Sequence, residues 1–127
     1  MENHKVRVFR PGEGSKNTAQ TMGMQREELV STPDAWVGIV ETEPMYTSGW
    51  HHHGEYDTYV YVISGELKFD FGETGKESIV AKAGEIAMIP KNTVHRESNP
   101  SEQKQVLFGV RVGQGAPVFN VDGPSTS

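Results

Sequence analysis

The amino-acid sequence predicts an all-β fold, a sandwich or barrel of roughly eight to ten short strands. Three observations support this prediction. The 127 residues include 14 glycines and 7 prolines, a frequency of chain-breaking residues that disfavours a helical bundle. From residue 35 onward, segments with alternating or β-branched residues follow one another, with turn signals between them. No long amphipathic helical pattern interrupts these segments, so packed or rolled sheets are the expected architecture.

The candidate strands can be placed in chain order. Residues 5–9 (KVRVF) alternate as a strand does, and a polar loop follows them. Residues 24–31 (MQREELVS) are ambiguous between one helical turn and an extended arm. Residues 58–64 (TYVYVIS) have the strongest strand signal, because β-branched and aromatic side chains occupy every position but the last. The other candidates are 36–43, 66–72, 78–90 as two strands around Gly84, 104–112 and 117–121.

The length of the chain indicates one domain. We expect an N-terminal arm over residues 1–30, a β-barrel over 31–121 and a flexible tail over 122–127. Small sheets leave unpaired strand edges that must be covered. We therefore expect a homodimer, in which residues 1–9 or 24–31 add a strand to the sheet of a neighbouring copy.

Composition argues against several classes of protein. Twelve basic residues against 17 acidic ones leave a net charge of −5, so we expect no nucleic-acid partner. The absence of cysteine excludes disulfides, thiolate chemistry, zinc fingers and iron–sulfur clusters. No apolar run approaches the roughly 18 residues of a membrane span, and the first residues lack the apolar core of a signal peptide. The expected compartment is the cytoplasm, with no membrane partner.

Histidines are the candidate chemical groups. Five occur in the chain, and three of them are consecutive at His51, His52 and His53. Side chains on a strand alternate between two faces, so His51 and His53 point one way and His52 the other. Two imidazoles about 7 Å apart on one face can converge on a divalent metal ion, which needs at least one more ligand. His95 is the remaining histidine of the β-rich region, and the nearby carboxylates are Glu55, Asp57 and Glu97.

Residues 49–65 and 84–99 resemble the two sequence motifs of the cupin family. The first motif contains His-x-His and a closing glycine, which match residues 51–53 and Gly65. The second motif contains a glycine, a proline, a histidine and an asparagine at fixed spacing. The matching residues are Gly84, Pro90, His95 and Asn99. The resemblance implies a small single-domain double-stranded β-helix, or jelly-roll barrel.

The sequence departs from the family pattern at three positions. Gly49 lies only two residues before His51, whereas the family motif has five intervening residues. Asn92 replaces a glycine of the second motif, and asparagine tolerates a left-handed backbone better than most residues. Thr58 stands at the position of the metal-binding glutamate. Asp57 is the alternative carboxylate, provided that a bulge shifts the strand parity.

The resemblance implies that His51, His53 and His95 bind one divalent metal ion at the barrel mouth. Asp57 is the candidate further ligand, and Thr58 or water are the alternatives. Fe, Mn, Ni, Zn and Cu all suit imidazole donors, and the sequence does not distinguish them. The alternative interpretation is that these histidines form a polar strand edge and a hydrogen-bonded loop residue. His52 is expected on the surface or in contact with the metal ligands, without binding the metal itself.

Four residues are candidate substrate contacts. Glu97 alternates with His95 and is expected to reach the same face. Arg96 and Arg111 can hold an anionic substrate, although surface placement is the common position for an arginine. Any β-barrel core contains large apolar residues, so packing is the alternative role for the aromatic and methionine candidates. The four candidates are Tyr46, Met88, Phe108 and Glu97.

The family resemblance implies a metal-dependent enzyme, an oxidoreductase similar to the dioxygenases, acting on a small polar or aromatic molecule. Cupins also include proteins without turnover, so a sensor or sequestering protein that binds a metal or ligand is an alternative. A sugar-phosphate isomerase and a metal-free structural or sugar-binding barrel are further alternatives. Fold does not by itself decide between these functions.

Overall fold

The computed structural model describes residues 4–125, and over these residues it contains strands and no helix. This architecture confirms the predicted all-β fold class. Within the same residues there is accordingly no helix of a length and apolarity that would cross a membrane. The strands are β1 (Gln25–Thr32), β2 (Ala35–Thr42), β3 (Trp50–His52), β4 (Asp57–Ser64), β5 (Glu66–Phe71), β6 (Glu77–Lys82), β7 (Ile86–Ile89), β8 (His95–Ser98), β9 (Gln105–Val112) and β10 (Phe119–Val121).

The strands form two five-stranded antiparallel sheets that face each other. The first sheet has the order β1-β2-β9-β4-β7, and the second has the order β10-β3-β8-β5-β6. From β2 onward the chain crosses repeatedly between the two sheets, and only β5 and β6 are consecutive strands of one sheet. The chain therefore rolls up as a double-stranded β-helix, and strands distant in sequence become neighbours.

Side-chain alternation places the core between the sheets. In β4, Thr58, Val60 and Val62 are buried, whereas Tyr59 and Tyr61 are exposed on the outer face. Strand β9 repeats the pattern, because its side chains alternate between the core and solvent. The buried apolar cluster consists of Val40, Val60, Val62, Leu67, Phe69, Ala81, Ile89 and Leu107. Burial of this apolar cluster holds the two sheets together. None of its side chains is of a type that binds metal ions.

Two turns contain residues in the left-handed conformation: the Gly65 turn joins β4 to β5, and the Asn92 turn leads into β8, which carries His95. Gly65 has a φ of 78°, and a Cβ atom there would lie 3.0 Å from the Cα atom of Gln105, so a side chain at this position would be strained. Asn92 has a φ of 58°, the left-handed conformation expected where the family motif has glycine. Asn99 is fully buried after β8, and its Nδ2 donates to the backbone oxygen of Thr42 at 3.2 Å. These contacts fix both ends of the segment that contains β8.

The N-terminal region differs from the sequence-based expectation. Residues 5–9 form no strand, because alternation alone does not supply a pairing partner. Of residues 24–31, which the sequence left ambiguous, all but Met24 lie in β1, so the first sheet begins inside the segment assigned to the arm. Glu27 on β1 accepts hydrogen bonds from the backbone nitrogens of Gly12 and Gly14, which lower its pKa. Residues 1–3 of the expected arm and 126–127 of the expected tail lie outside the described residues.

Candidate metal centre

Three histidines and one glutamate converge between the two sheets. His51 lies on β3 and His53 follows that strand, while His95 and Glu97 lie on β8. The register pairs His51 with His95, so the two strands present these side chains next to each other. All four side chains are buried, and one donor atom from each lies within 4.8 Å of the donor atoms of the others. The sequence motifs therefore meet in space.

Backbone carbonyl groups orient the three imidazole rings. Because a carbonyl oxygen only accepts hydrogen bonds, each ring must carry its proton on Nδ1. A neutral ring then has its lone pair on Nε2, the nitrogen that is free to bind a metal ion. The Nδ1 atoms of His51, His53 and His95 lie 3.0, 3.0 and 2.9 Å from the backbone oxygens of Gly49, Pro117 and Thr93, respectively.

The carboxylate of Glu97 faces the Nε2 atoms of His51 and His95, and this contact is favourable only when a proton or a metal ion lies between them. Its Oε2 lies 3.3 Å from Nε2 of His51 and 3.1 Å from Nε2 of His95. Two imidazole lone pairs that face a carboxylate repel it unless a proton or a metal ion lies between them. Nε2 of His51 is also buried and has no hydrogen-bond partner of acceptable geometry. A divalent metal ion shared by these groups would satisfy the nitrogen and balance the carboxylate.

The protonation states of the cluster suit a metal ion. Burial lowers the pKa of His51 from 6.5 to about 4, against the opposing effect of Glu97. Burial, followed by the positive charge of Arg111, lowers the pKa of His53 well below 6.5. Burial disfavours ionisation of Glu97, but hydrogen bonds and positive charge from His51 and His95, which require a proton on Nε2, outweigh burial and lower its pKa. At neutral pH His51 and His53 are therefore neutral and Glu97 is charged, which are the forms that bind metal.

The spacing of the donor atoms also fits one ion. Bonds from a metal ion to imidazole nitrogen or carboxylate oxygen are about 2.0–2.2 Å long, so two ligands of one ion lie at most about 4.4 Å apart. The 4.8 Å limit of this cluster thus requires shifts of only a few tenths of an ångström. Three nitrogens and one oxygen leave positions free for water or substrate on an ion of higher coordination number. The four residues therefore fit a divalent transition metal with open positions.

Two residues near the cluster lie outside it. His52 points away, as the strand parity predicts: its Nδ1 accepts from Gly54 N at 3.0 Å, and its ring stacks on Phe119. Asp57 belongs to β4 in the opposite sheet, and its Oδ1 accepts from Lys91 N at 3.0 Å. The structure therefore corrects the sequence-based position of Asp57. No bulge turns it inward, and Glu97 is the acidic member of the cluster.

A larger cavity adjoins the cluster on the side of His95. It has a volume of about 750 Å³ and lies between β5, β6 and β7, with Met88 and His95 in its wall. Volumes of about 300–1,000 Å³ with apolar walls and few polar groups are typical of small-molecule sites. Among the described residues that line this cavity, Glu85 is the one with a charged carboxylate, and most others are apolar. The cavity suits an organic molecule with an aromatic or other apolar part.

Two other predicted pocket residues lie elsewhere. Tyr46 is 57% exposed and borders a separate surface depression beside Glu43. Phe108 lies on the outer face of the first sheet, because its neighbours Leu107 and Gly109 in β9 take the inward positions. Of these predicted pocket residues, Met88 therefore lines the cavity, whereas Tyr46 and Phe108 do not. Glu97, also predicted as a pocket residue, lies in the cluster itself.

Comparison with known sequences agrees with this geometry. The sequence profile of the family described as Cupin domain matches residues 38–124. The chain belongs to the cupin family. A curated relative of this cupin, the uncharacterized protein YdbB of Bacillus subtilis (strain 168), is 49% identical over 47 residues. That match covers 37% of this chain and 40% of the relative, so it spans less than half of the relative's length.

Solved structures share the fold of this cupin. An uncharacterized protein with a double-stranded β-helix domain from Klebsiella pneumoniae subsp. pneumoniae MGH 78578 aligns with a TM-score of 0.73 and 22% identity, over 93% of this chain and 99% of that one. The polyketide cyclase RemF from Streptomyces resistomycificus aligns with a TM-score of 0.72 and 17% identity, over 92% and 86% of the two chains. At these identities the likeness shows the fold alone.

Proposed function

We propose that this cupin is a metal-dependent enzyme, an oxidoreductase similar to the dioxygenases, that acts on a small molecule with an aromatic or other apolar part. One observation carries the proposal. The cluster of three histidines and Glu97 lies against the 750 Å³ cavity, and His95 belongs to both. A molecule in the cavity is therefore in reach of the open positions on a bound ion.

The cluster residues, the carbonyl groups behind the rings and the cavity walls have different roles in this proposal. His51, His53, His95 and Glu97 would hold the metal ion, and a bound redox-active metal would supply oxygen activation or Lewis-acid polarisation. The carbonyl groups behind the rings hold each Nε2 in the required orientation. The apolar cavity walls bind the apolar part of the substrate.

The cavity argues against a sugar-phosphate substrate. A phosphate group needs arginine, lysine or backbone N–H donors. The described residues that line the cavity include no arginine or lysine, and Glu85 would repel a phosphate. A binding protein without turnover has the same cluster and cavity, so turnover itself must decide between the enzyme and this alternative.

The test combines metal content with oxygen uptake. Protein purified without an imidazole column should contain one divalent metal ion per chain by elemental analysis. Oxygen uptake with catechols, β-diketones and small thiols should identify a substrate. Ala87→Phe fills the cavity and should raise KM while metal content is kept, whereas Ala83→Phe in the exposed β6–β7 turn should leave both unchanged. Full metal occupancy without turnover would assign a binding role instead.

A further inference from the structure

The outer faces of the two sheets differ in polarity. On the second sheet the outer positions carry charged side chains that pair with one another: Arg96 Nε donates to Asp70 Oδ2 at 3.0 Å, and Lys68 Nζ lies 3.9 Å from Asp70 Oδ1. On the first sheet the outer positions of β4, β7 and β9 carry large apolar side chains that are more than a third exposed. These residues, which form the apolar face, are Tyr59, Tyr61, Ile63, Ile86, Met88, Phe108 and Val112.

The strand register joins these side chains into one continuous surface. Tyr61 pairs with Phe108 on β9 and with Ile86 on β7. Tyr59, two residues earlier on β4, pairs in the same way with the next outward residues of β9 and β7. Among the outer positions of these three described strands, the charged residue is Asp57, which lies at the start of β4. The middle of the apolar face therefore carries no charge.

The apolar face is larger than the apolar patches that single chains usually expose. Its side chains are between 37% and 71% exposed. Since a large apolar or aromatic side chain carries roughly 150–250 Å² of accessible surface, the face exposes about 700 Å² in all. The largest apolar patch on a typical monomer is about 300–600 Å², and larger patches mark interaction sites. The size of the face therefore indicates that another molecule covers it.

The chain itself covers the neighbouring part of the same sheet. The backbone nitrogens of Gly12 and Gly14 donate to the carboxylate of Glu27, an outer residue of β1. Ile39 on β2 pairs with Glu27 in the register and is 8% exposed, although it is also an outer residue. Tyr61 is 43% exposed, so this cover does not extend to β4. The outer side of the first sheet is thus apolar and buried on β2, and apolar but open on β4, β7 and β9.

Charge, shape and area favour a second copy of this chain as the cover. Each chain has a net charge of −5, so two copies approach most easily through a surface without charge. Sheets pack face to face about 10 Å apart in β-sandwiches, and a two-fold axis through the face would bring the same residues of both copies together. About 700 Å² from each copy would bury about 1,400 Å² in total, within the range of about 1,200–2,000 Å² for stable specific interfaces.

We infer that this cupin forms a homodimer in which the apolar faces of two copies pack against each other. This arrangement differs from the strand addition that the sequence predicts. Glu28, in the middle of β1, exchanges two backbone hydrogen bonds of 2.7 and 2.9 Å with Ser15 on the free edge of that strand. A strand from another copy therefore cannot pair along the whole of β1. The metal cluster lies between the sheets and takes no part in the interface, so the inference is independent of the proposed function.

The test is analytical ultracentrifugation of the full-length protein at about 1–100 μM, where interfaces of this size associate. Tyr61→Lys should raise the dimer Kd at least about 100-fold, because the two-fold axis brings two like charges into one apolar interface. Phe119→Lys is the matched control, since Phe119 is also 43% exposed but lies on the second sheet, and it should dimerise as wild type does. A monomeric wild type, or an unchanged dimer Kd in Tyr61→Lys, would overturn the inference.

Two further variants keep the test decisive. Phe108→Lys places the charge on the strand next to Tyr61 and should weaken the dimer as strongly, so the inference can be tested even if Tyr61→Lys fails to fold. Val8→Pro removes a backbone donor that addition of residues 5–9 to a neighbouring sheet would need, and Val8 is 68% exposed. It should leave the dimer Kd unchanged. A dimer that Val8→Pro dissociates, but that Phe108→Lys leaves intact, would assign the contact to strand addition and contradict packing through the apolar face.

Discussion

Replacing two adjacent histidines should separate metal binding from stability. His53→Ala removes a ring that points into the cluster, whereas His52→Ala removes one that points away. His52 makes a stacked contact with Phe119, with ring centres 4.8 Å apart, and accepts one hydrogen bond from Gly54. Each of these contacts contributes about 0.5–1.5 kcal/mol, so His52→Ala should lower the free energy of unfolding by about 1–3 kcal/mol.

The two variants should also differ in metal binding: His53→Ala should lose most of its affinity for the metal, whereas His52→Ala should keep it. Loss of a group that merely supports a metal ligand costs about 10–100-fold in affinity, so loss of His53 itself should cost at least about 100-fold. At a free metal concentration of 100 times the wild-type Kd, metal stabilises the folded state by about 2.7 kcal/mol. His52→Ala should keep this increment, and His53→Ala should retain less than about 0.5 kcal/mol of it.

Thermal unfolding of the metal-free and Zn²⁺-loaded proteins measures both effects. For a chain of this size, 1 kcal/mol corresponds to roughly 4 °C in Tm. Metal-free His52→Ala should therefore unfold a few degrees below wild type but gain the full increment with zinc. Equal loss of the zinc increment in His52→Ala and His53→Ala would refute the assignment of strand parity.

Four further predictions follow. Glu97→Gln should weaken metal binding at least about tenfold, whereas Asp57→Asn should leave metal content unchanged by elemental analysis. Because the pKa of His51 falls from 6.5 to about 4 on folding, the unfolded chain binds protons first, and the metal-free protein should lose stability to urea as the pH falls from 6.5 to 4. Leu107→Ala should cost about 2–5 kcal/mol without reducing zinc content per folded chain, since Leu107 is 1% exposed in the core. Light scattering after size-exclusion chromatography should report twice the 14.0 kDa chain mass, and a 14 kDa species at micromolar concentration would contradict the homodimer.

The sequence predicted most of the strands and the common face of His51 and His53 because both depend on local alternation. Strand parity alone separates His52 from His51 and His53, and it holds wherever the chain is extended. The meeting of His95 with the first two histidines depends on the pairing of β3 with β8. Only the family resemblance supplied that long-range pairing before the structure was known.

The acidic member of the cluster required the structure. Family spacing pointed to Thr58 and Asp57, both in the first sheet, whereas the carboxylate that reaches the histidines comes from β8. The signal for Glu97 was present in its position two residues after His95. No local rule favoured it over Asp57, because the choice depends on which strand lies next to β3.

The buried arginines were the least predictable feature. Arg26 lies in a polar segment that suggests a solvated arm, yet β1 pairs along β2 and turns this side chain into the barrel. Arg111 occupies an inward position of β9 among apolar neighbours, where its stacking on Trp36 permits burial. Charged residues enter the interior only where a partner or ligand compensates them, and that compensation is a tertiary property.

Anomalous diffraction from crystals of the metal-loaded protein would test the central claim most directly. Data collected at the absorption edge of the bound metal should show one peak between the two sheets. That peak should lie about 2.0–2.2 Å from Nε2 of His51, His53 and His95 and from a carboxylate oxygen of Glu97. Full occupancy of metal in the sample with the peak at His52 or Asp57, or with no peak at the cluster, would contradict the account.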